Sequence, residues 1–528
     1  MTIRSWIALL SAVTVASSSI AAPGAATIPP NNNRTPLDLN LPSLGTTADA
    51  SLSPNEERAL GAKLMTQVRN DPTYVTDPVI GEYLNSLGYK LVSSAKTYTY
   101  HFFFFPIRDA SLNAFALPGG YIAVHTGTII AARTESELAG VMAHEIGHVA
   151  QRHIARMIEN QRSNLPLTIG SLLLAILAAR AGGSSGGHAA AAIAMGSQAA
   201  MIQSMLNYSQ DAEREADRMG LQTLYNAGFD PQGMVGFFER LQATNRLYES
   251  ASPAYLSTHP LTLNRLSDME ARTKLLAPQS HRDSIEFPLI QMRARVLQLT
   301  TYDGWLKEKK HLELSLKKAT GAEAAILHYG ISLLDTQLKN TQEAYKEAQA
   351  AMSLGSSPVL AQNLTATRFA AAKTQAEKEV VLQQVKKDLT RFPLSNMLTE
   401  NYVDILYHMD RHKELIAYLL NNPSLETAIS NYHSLLARSY EKLGQKSEQY
   451  RHTGEMYALL GDPEAAEYQY ALAQKAADGD FYTMSVIDAR LRELRQIIRE
   501  AKKQKQSDNR TRLTGYNMRT SLSKLDLG

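Results

Sequence analysis

His144, Glu145 and His148 stand in the order His-Glu-x-x-His. Four residues span a little more than one helical turn, so on a helix both imidazoles share a face and can each bring a ring nitrogen to one ion. Glu145 then projects beside that ion rather than onto it, where its carboxylate can take a proton from an attacking water. Such a trio serves metal-assisted hydrolysis of an amide. Gly147, inside the motif, leaves room for a second element to approach closely. His153 lies nine positions past His144, which on a continuous helix places it near the opposite face, as a supporting or surface group.

A catalytic zinc of this kind takes three protein ligands and leaves the fourth position to water. The chain has no cysteine, which excludes disulfides, thiolate nucleophiles and thiolate ligands and leaves His and carboxylates to hold a metal. Asp211-Ala-Glu213-Arg-Glu215-Ala-Asp217 supplies carboxylates on a second predicted helix. Glu213 and Asp217 are one turn apart, so Glu213 can bind the metal while Asp217 accepts the other N–H of a ligand His and raises its basicity. Glu215 projects roughly 200° away and is expected to face solvent. The plain alternative is a solvated acidic helix face, since carboxylates at this spacing are common.

Elements around these residues have clear signals. Ser53-Pro54-Asn55-Glu56 reads as a capping box with Pro at the first helical position, opening a helix with Leu60, Leu64 and Val68 on one face. Tyr98 to Pro106, with its run of four phenylalanines, reads as a strand buried on both faces. Pro118-Gly119-Gly120 turns the chain between Asn113–Leu117 and Tyr121–Val124, predicting a hairpin at a sheet edge. That edge, at Asn113, Ala114, Phe115 and Ala116, is suited to binding a substrate backbone as an added strand. Thr134-Glu135-Ser136-Glu137 reads as another capping box, and the helix it starts carries the metal motif and runs toward Met157.

With 528 residues, 44% hydrophobic and 20% charged, the chain has the composition of globular protein and length for two or more domains. Its 54 basic and 51 acidic residues form no long basic stripe outside the tail, so nucleic-acid binding is not indicated. Arg4, an apolar run from Trp6 to Val15, and Ser19-Ile20-Ala21 follow the order of a secretory signal peptide. Leu167 to Ala179 is apolar but too short to span a bilayer, favouring a buried hairpin or an interfacial segment. Beyond about residue 290 the pattern is helical. Helices are expected to end at Leu333–Leu338, Ile405–Asp410, Leu435–Tyr440 and Tyr457–Gly461, and Tyr440 to Gly444 repeats the spacing of Tyr457 to Gly461. These read as degenerate tetratricopeptide-like units, with a non-repetitive bundle as the alternative.

Taken together, His144-Glu-Ile-Gly-His148, Asn113-Ala-Phe-Ala-Leu-Pro-Gly-Gly120, Tyr208-Ser209, Glu213-Arg-Glu-Ala-Asp217, Thr258-His259-Pro260 and Arg265 resemble the metallopeptidase family that includes the HtpX heat-shock protease and the CAAX prenyl protease. The resemblance covers roughly residues 50 to 280; Gln210 stands where that family usually has Arg. It implies that Glu213 is the third zinc ligand and Asp217 its support. It also implies a role for His259 and Arg265 at the reaction centre, as transition-state donors or, for His259 in periplasmic members, as a plug in the open zinc position. The whole chain is similar to periplasmic members acting in outer-membrane protein assembly.

The expected fold is mainly α: an α+β gluzincin-like metallopeptidase domain with a small edge sheet, followed by an all-α tetratricopeptide-like solenoid. A signal peptide is expected over 1–21, a linker over 22–50, the metallopeptidase over 51–285, the repeats over 290–500 and a frayed, polar basic tail over 501–528. The expected function is a periplasmic zinc endopeptidase with chaperone activity. It would degrade misfolded or stalled outer-membrane proteins, with the repeats meeting the barrel assembly machinery and the chain peripheral to the membrane. A repeat-domain chaperone with a latent protease site is the second reading; an integral-membrane protease using Leu167 to Ala179 is a third.

Overall fold

The computed structural model describes residues 52–95, 100–160, 208–247, 254–429 and 431–522, all within one compact unit. The expected signal peptide, the linker and the run Leu167 to Ala179 lie outside the described residues. Among the described residues, no helix is long and apolar enough to cross a membrane.

The first helix, α1 (Pro54–Arg69), opens on the predicted capping box: the Ser53 side chain accepts from Glu56 N, and Glu56 Oε2 accepts from Ser53 N at 2.8 Å. Asp77 caps α2 (Pro78–Ser94). Three strands follow, β1 (Phe103–Ile107), β2 (Ala114–Leu117) and β3 (Tyr121–His125), in the order β1-β3-β2, with β3 parallel to β1 and antiparallel to β2. The strand expected from Tyr98 begins only at Phe103, because its partner β3 starts at Tyr121, which faces Phe103. The alternation of the phenylalanines explains their run: Phe102 and Phe104 enter the core beneath α2, while Phe103 and Phe105 pack with α1.

After α3 (Thr126–Ala131) comes α4 (Glu135–Ala150), which carries the His-Glu-x-x-His motif and is buried along nearly its whole length. Only half of its expected capping box forms. Thr134 accepts from Glu137 N, but the Glu137 carboxylate accepts from Arg133 N at 2.6 Å instead of returning to Thr134. Nor does the helix reach Met157. It ends at Ala150, Arg152 adopts a left-handed φ of 53°, and α5 (His153–Asn160) starts in a new direction. Tertiary contacts hold that break, since the Arg152 guanidinium donates to Glu57 Oε2 at 3.1 Å and to the Leu52 carbonyl.

Two helices clamp α4, namely α6 (Gln210–Asn226) and α7 (Gln232–Leu247). A Cβ at Gly147 would stand 3.0 Å from the Ala216 backbone, and one at Gly220 would stand 3.1 Å from that of His144. The reciprocal glycines let the two helices approach closely enough for side chains of α6 to meet the motif on α4. A short α8 (Ala254–Thr258) and α9 (Leu263–Leu275) then deliver the segment between them to the same place.

From there the described chain is all helix: α10 (Glu286–Gln298), α11 (Tyr302–Leu316), α12 (Gly321–Gln337), α13 (Thr341–Leu354), α14 (Pro358–Ala371), α15 (Gln375–Arg391), α16 (Asn396–His408), α17 (His412–Leu420), α18 (Leu425–Ala428), α19 (Tyr432–Lys442), α20 (Lys446–Leu459), α21 (Pro463–Ala476) and α22 (Phe481–Leu522). All four helix ends expected from sequence share one stop. Lys339, Asp410, Gly444 and Gly461 have left-handed φ of 64°, 57°, 75° and 75°. The next residue in each case donates its N–H five positions back, as in Asn340 to Asp335 and Asp462 to Tyr457. The region joins the sheet domain through part-buried polar contacts: Glu82 accepts from Met397 N at 2.6 Å, and Asp77 accepts from Arg293 at 2.8 Å. The expected frayed tail is instead a continuation of α22 to Leu522; Lys, Gln, Arg and Ala, without proline, propagate a helix well.

Candidate metal centre

Side chains from three places converge. His144 and His148 come from α4, Glu213 from the first turn of α6, and His259 from the segment after α8, each offering one ligand atom within 4.8 Å of the others and all four buried. The Nε2 atoms of His144 and His148 are 3.0 Å apart, and each lies 3.4 Å from a Glu213 carboxylate oxygen. His259 Nδ1 is 3.4 Å from His144 Nε2 and 3.0 Å from Glu213 Oε1. Two nitrogens each ~2.0–2.1 Å from one zinc at tetrahedral angles stand about 3.3–3.4 Å apart, so these separations fit one small cation. Glu145 is buried beside the cluster, with Oε1 3.6 Å from His259 Nε2 and 3.4 Å from the Tyr255 hydroxyl, and with Oε2 lacking a partner.

Asp217 lies one turn along α6 from Glu213, and its Oδ1 is 3.1 Å from His144 Nδ1, as the spacing suggested. Arg265, at the start of α9, donates to Asp217 through Nε at 2.7 Å and Nη2 at 2.8 Å, and to the Pro260 carbonyl at 2.8 Å. Its Nη1 is also 2.7 Å from Glu213 Oε2. All three guanidinium nitrogens are thereby committed to two buried carboxylates and the loop bearing His259. Replacing Arg265 by Met would leave those carboxylates without their cation, with an expected loss of ~3–5 kcal/mol of stability, readable by denaturant unfolding of the metal-loaded protein. A midpoint equal to that of the parent chain would refute the clamp.

Four neighbours hold places that spacing alone did not give. Because the chain breaks after Ala150, His153 lies beside the motif rather than across the helix: its Nδ1 is 2.9 Å from His148 Nδ1, and its Nε2 is 3.1 Å from Glu215 Oε2. Glu215 therefore does not simply face solvent; it holds His153 and accepts from Arg156 at 2.6 Å. Tyr208 stacks on the His148 ring with centroids 4.0 Å apart, and Tyr255 stacks on His259 at 4.5 Å. Neither tyrosine has a spacing signal, since each reaches the ring from an irregular or very short segment.

The expected edge strand is present but covered. Asn113, Ala114, Phe115 and Ala116 are all buried, both side-chain amide atoms of Asn113 lack partners, and Tyr255 N donates to the Leu112 carbonyl at 3.2 Å. A second group with metal-ligating side chains, Glu135, His281 and Asp283, is satisfied from within. Glu135 accepts from the Tyr83 hydroxyl and His281 Nε2, each at 2.8 Å, and from Ser284 Oγ at 2.6 Å.

Electrostatics follow from burial and pairing. Desolvation disfavours a charged His144, yet Asp217 and Glu213 outweigh it and push its pKa up to about 9. His148, equally buried, is driven down by desolvation and serves as the neutral acceptor of the pair. Burial pushes the Glu145 carboxyl up, while the imidazoles packed around Glu213 overcome burial and hold its carboxyl well below the ordinary carboxylate range. A buried anion beside clustered imidazoles and a raised carboxyl are the parts that metal binding and proton transfer need.

Residues 81–273 match the model of peptidase family M48. The chain is 33% identical to the putative beta-barrel assembly-enhancing protease of Vibrio cholerae over 86% of its own length and 92% of that relative's. It is 32% identical to the beta-barrel assembly-enhancing protease of Escherichia coli K12, over 87% of this chain and 91% of the relative. A shorter likeness, 33% identity over 31% of the chain and 44% of the relative, runs to the mitochondrial metalloendopeptidase OMA1 of Schizosaccharomyces pombe. Because the likeness extends through the motif helices and on into the all-α region behind them, the chain belongs to peptidase family M48 and is a metalloprotease.

Proposed function

We propose that this metalloprotease is a zinc-dependent endopeptidase of the Gram-negative periplasm that acts in outer-membrane protein assembly and degrades misfolded or stalled β-barrel proteins, with chaperone activity alongside. The observation that carries the catalytic part is the convergence of His144, His148 and Glu213 with the unpartnered Glu145 oxygen at their side. The names of the V. cholerae and E. coli relatives support the setting, and the signal-peptide pattern of residues 1–21 supports export. Those relatives are named as proteases, which disfavours a chaperone with a latent site. The recurring helix stops behind the site support reading 290–500 as tetratricopeptide-like repeats offering a surface to the barrel assembly machinery.

In this reading His144, His148 and Glu213 hold zinc, and Asp217 and Arg265 position them. Bound zinc supplies Lewis-acid polarisation of a carbonyl and lowers the pKa of water. Glu145, buried and with a raised pKa, accepts the proton of the attacking water and passes it to the leaving amine, with no covalent intermediate. His259 occupies the remaining side of the cluster as a plug. Substrate pairing along β2 requires the Tyr255 to His259 segment to leave, since Tyr255 N holds the Leu112 carbonyl beside that edge.

Metal analysis of the purified chain, with casein cleavage before and after chelation, tests the reading. One zinc per chain and loss of cleavage on its removal are expected, with recovery when zinc is returned; absence of metal from protein never exposed to chelator would overturn it. The metal-free site should also bind zinc more tightly as pH rises toward about 9, where the proton that an incoming cation must displace from His144 is already leaving. Calorimetric titration across that range checks the sign.

A further inference from the structure

The helix α22 is 42 residues long, about 63 Å at the usual rise. Among the described residues, Ile487, Leu491 and Leu494 are its buried row, packed against Ala466, Tyr470 and Ala473 of α21. Ion pairs fasten the same stretch, Arg490 to Glu455 at 2.9 Å and Arg495 to Glu467 at 2.9 Å, with the exposed Lys502–Glu464 pair at 3.3 Å beyond them. From Arg499 to Lys503 every residue is exposed, and the backbone stays helical to Leu522.

Charge is concentrated from Arg499 onward. Residues 499–528 contain eight Lys or Arg and three Asp or Glu, a net +5, whereas the rest of the chain is net −2. Positions 492, 499, 503 and 510 are all basic and fall within about 40° of one another around a helix. Arg492, Arg499 and Lys503 are exposed and have no ion-pair partner among the described residues. A solvated helix face usually mixes signs; this one does not.

We propose that α22 from Arg492 onward is a docking element for an anionic lipid surface, presenting Arg492, Arg499 and Lys503, with basic position 510 in the same helical register, to acidic headgroups. Charge complementarity argues for a polyanion, and the choice of lipid over nucleic acid rests on the export proposed above. Each basic residue near such a surface strengthens binding by roughly fivefold, and salt weakens it.

Co-sedimentation of the full chain with vesicles of phosphatidylcholine, alone or with about one third phosphatidylglycerol, reads the interaction. Binding is expected only to the anionic vesicles and should fall with added salt. The combined Arg492→Gln, Arg499→Gln, Lys503→Gln and Arg510→Gln variant, which keeps good helix formers, is expected to bind at least ~10²-fold more weakly. Its helicity and its peptide cleavage in solution should match the parent's, so failure of the protease reading shows in the cleavage assay and failure of docking in the vesicles alone. Equal binding by variant and parent overturns the proposal. So does an absence of vesicle binding while polyglutamate or an oligonucleotide is retained, which would mark an acidic protein or nucleic-acid partner instead.

Discussion

Glu145→Gln is expected to slow peptide hydrolysis by ~10²–10⁴-fold while leaving the metal in place. The amide has the shape of the carboxylate and can keep the Tyr255 hydroxyl contact at 3.4 Å, but it cannot accept and return a proton. Metal content should not change, because Glu145 stands outside the group of four that share a 4.8 Å convergence. Stability should hold or rise, since a carboxylate that burial already pushes toward its neutral form, with one oxygen unpartnered, is replaced by a neutral group. Cleavage of a quenched fluorescent peptide, run beside zinc determination, separates the possibilities. Undiminished turnover would refute the base assignment, and loss of zinc would make Glu145 a ligand.

What the sequence could and could not reveal divides along a physical line. The two His of α4 and the two carboxylates of α6 were legible because each pair sits one helical turn apart, and helical periodicity is a local property. The capping box at Ser53 and the helix stops at Gly444 and Gly461 were legible for the same reason. The break after Ala150 was not. Arg152 carries no glycine or proline signal, and its left-handed φ of 53° is held by Glu57 and Leu52, about a hundred positions away. That single missed turn sent His153 to the wrong side and hid the partners, His153 and Arg156, that hold Glu215. Resemblance, not spacing, brought His259 and Arg265 into view, because a His before Pro in a loop has no periodicity to read. The structure then gave each a partner set, and every guanidinium nitrogen of Arg265 meets a buried carboxylate.

The sharpest remaining question is the direction in which His259→Ala moves activity, and an increase of about tenfold is expected. His259 Nδ1 lies 3.4 Å from His144 Nε2 and 3.0 Å from Glu213 Oε1, so its imidazole takes the fourth place in the cluster, which a catalytic zinc leaves to water. Its segment also sets Tyr255 N on the Leu112 carbonyl and stacks the Tyr255 ring against the imidazole, so plug and strand cover leave together. If the site is open only a fraction of the time, turnover scales with that fraction, and a side chain that no longer reaches the cluster raises it. Zinc should remain, because His144, His148 and Glu213 are untouched. A transition-state donor would behave oppositely: removing one typically costs ~10²–10³-fold in turnover. The sign of the change, measured on a casein substrate with zinc content matched between variant and parent, therefore decides whether His259 guards the reaction centre or works in it.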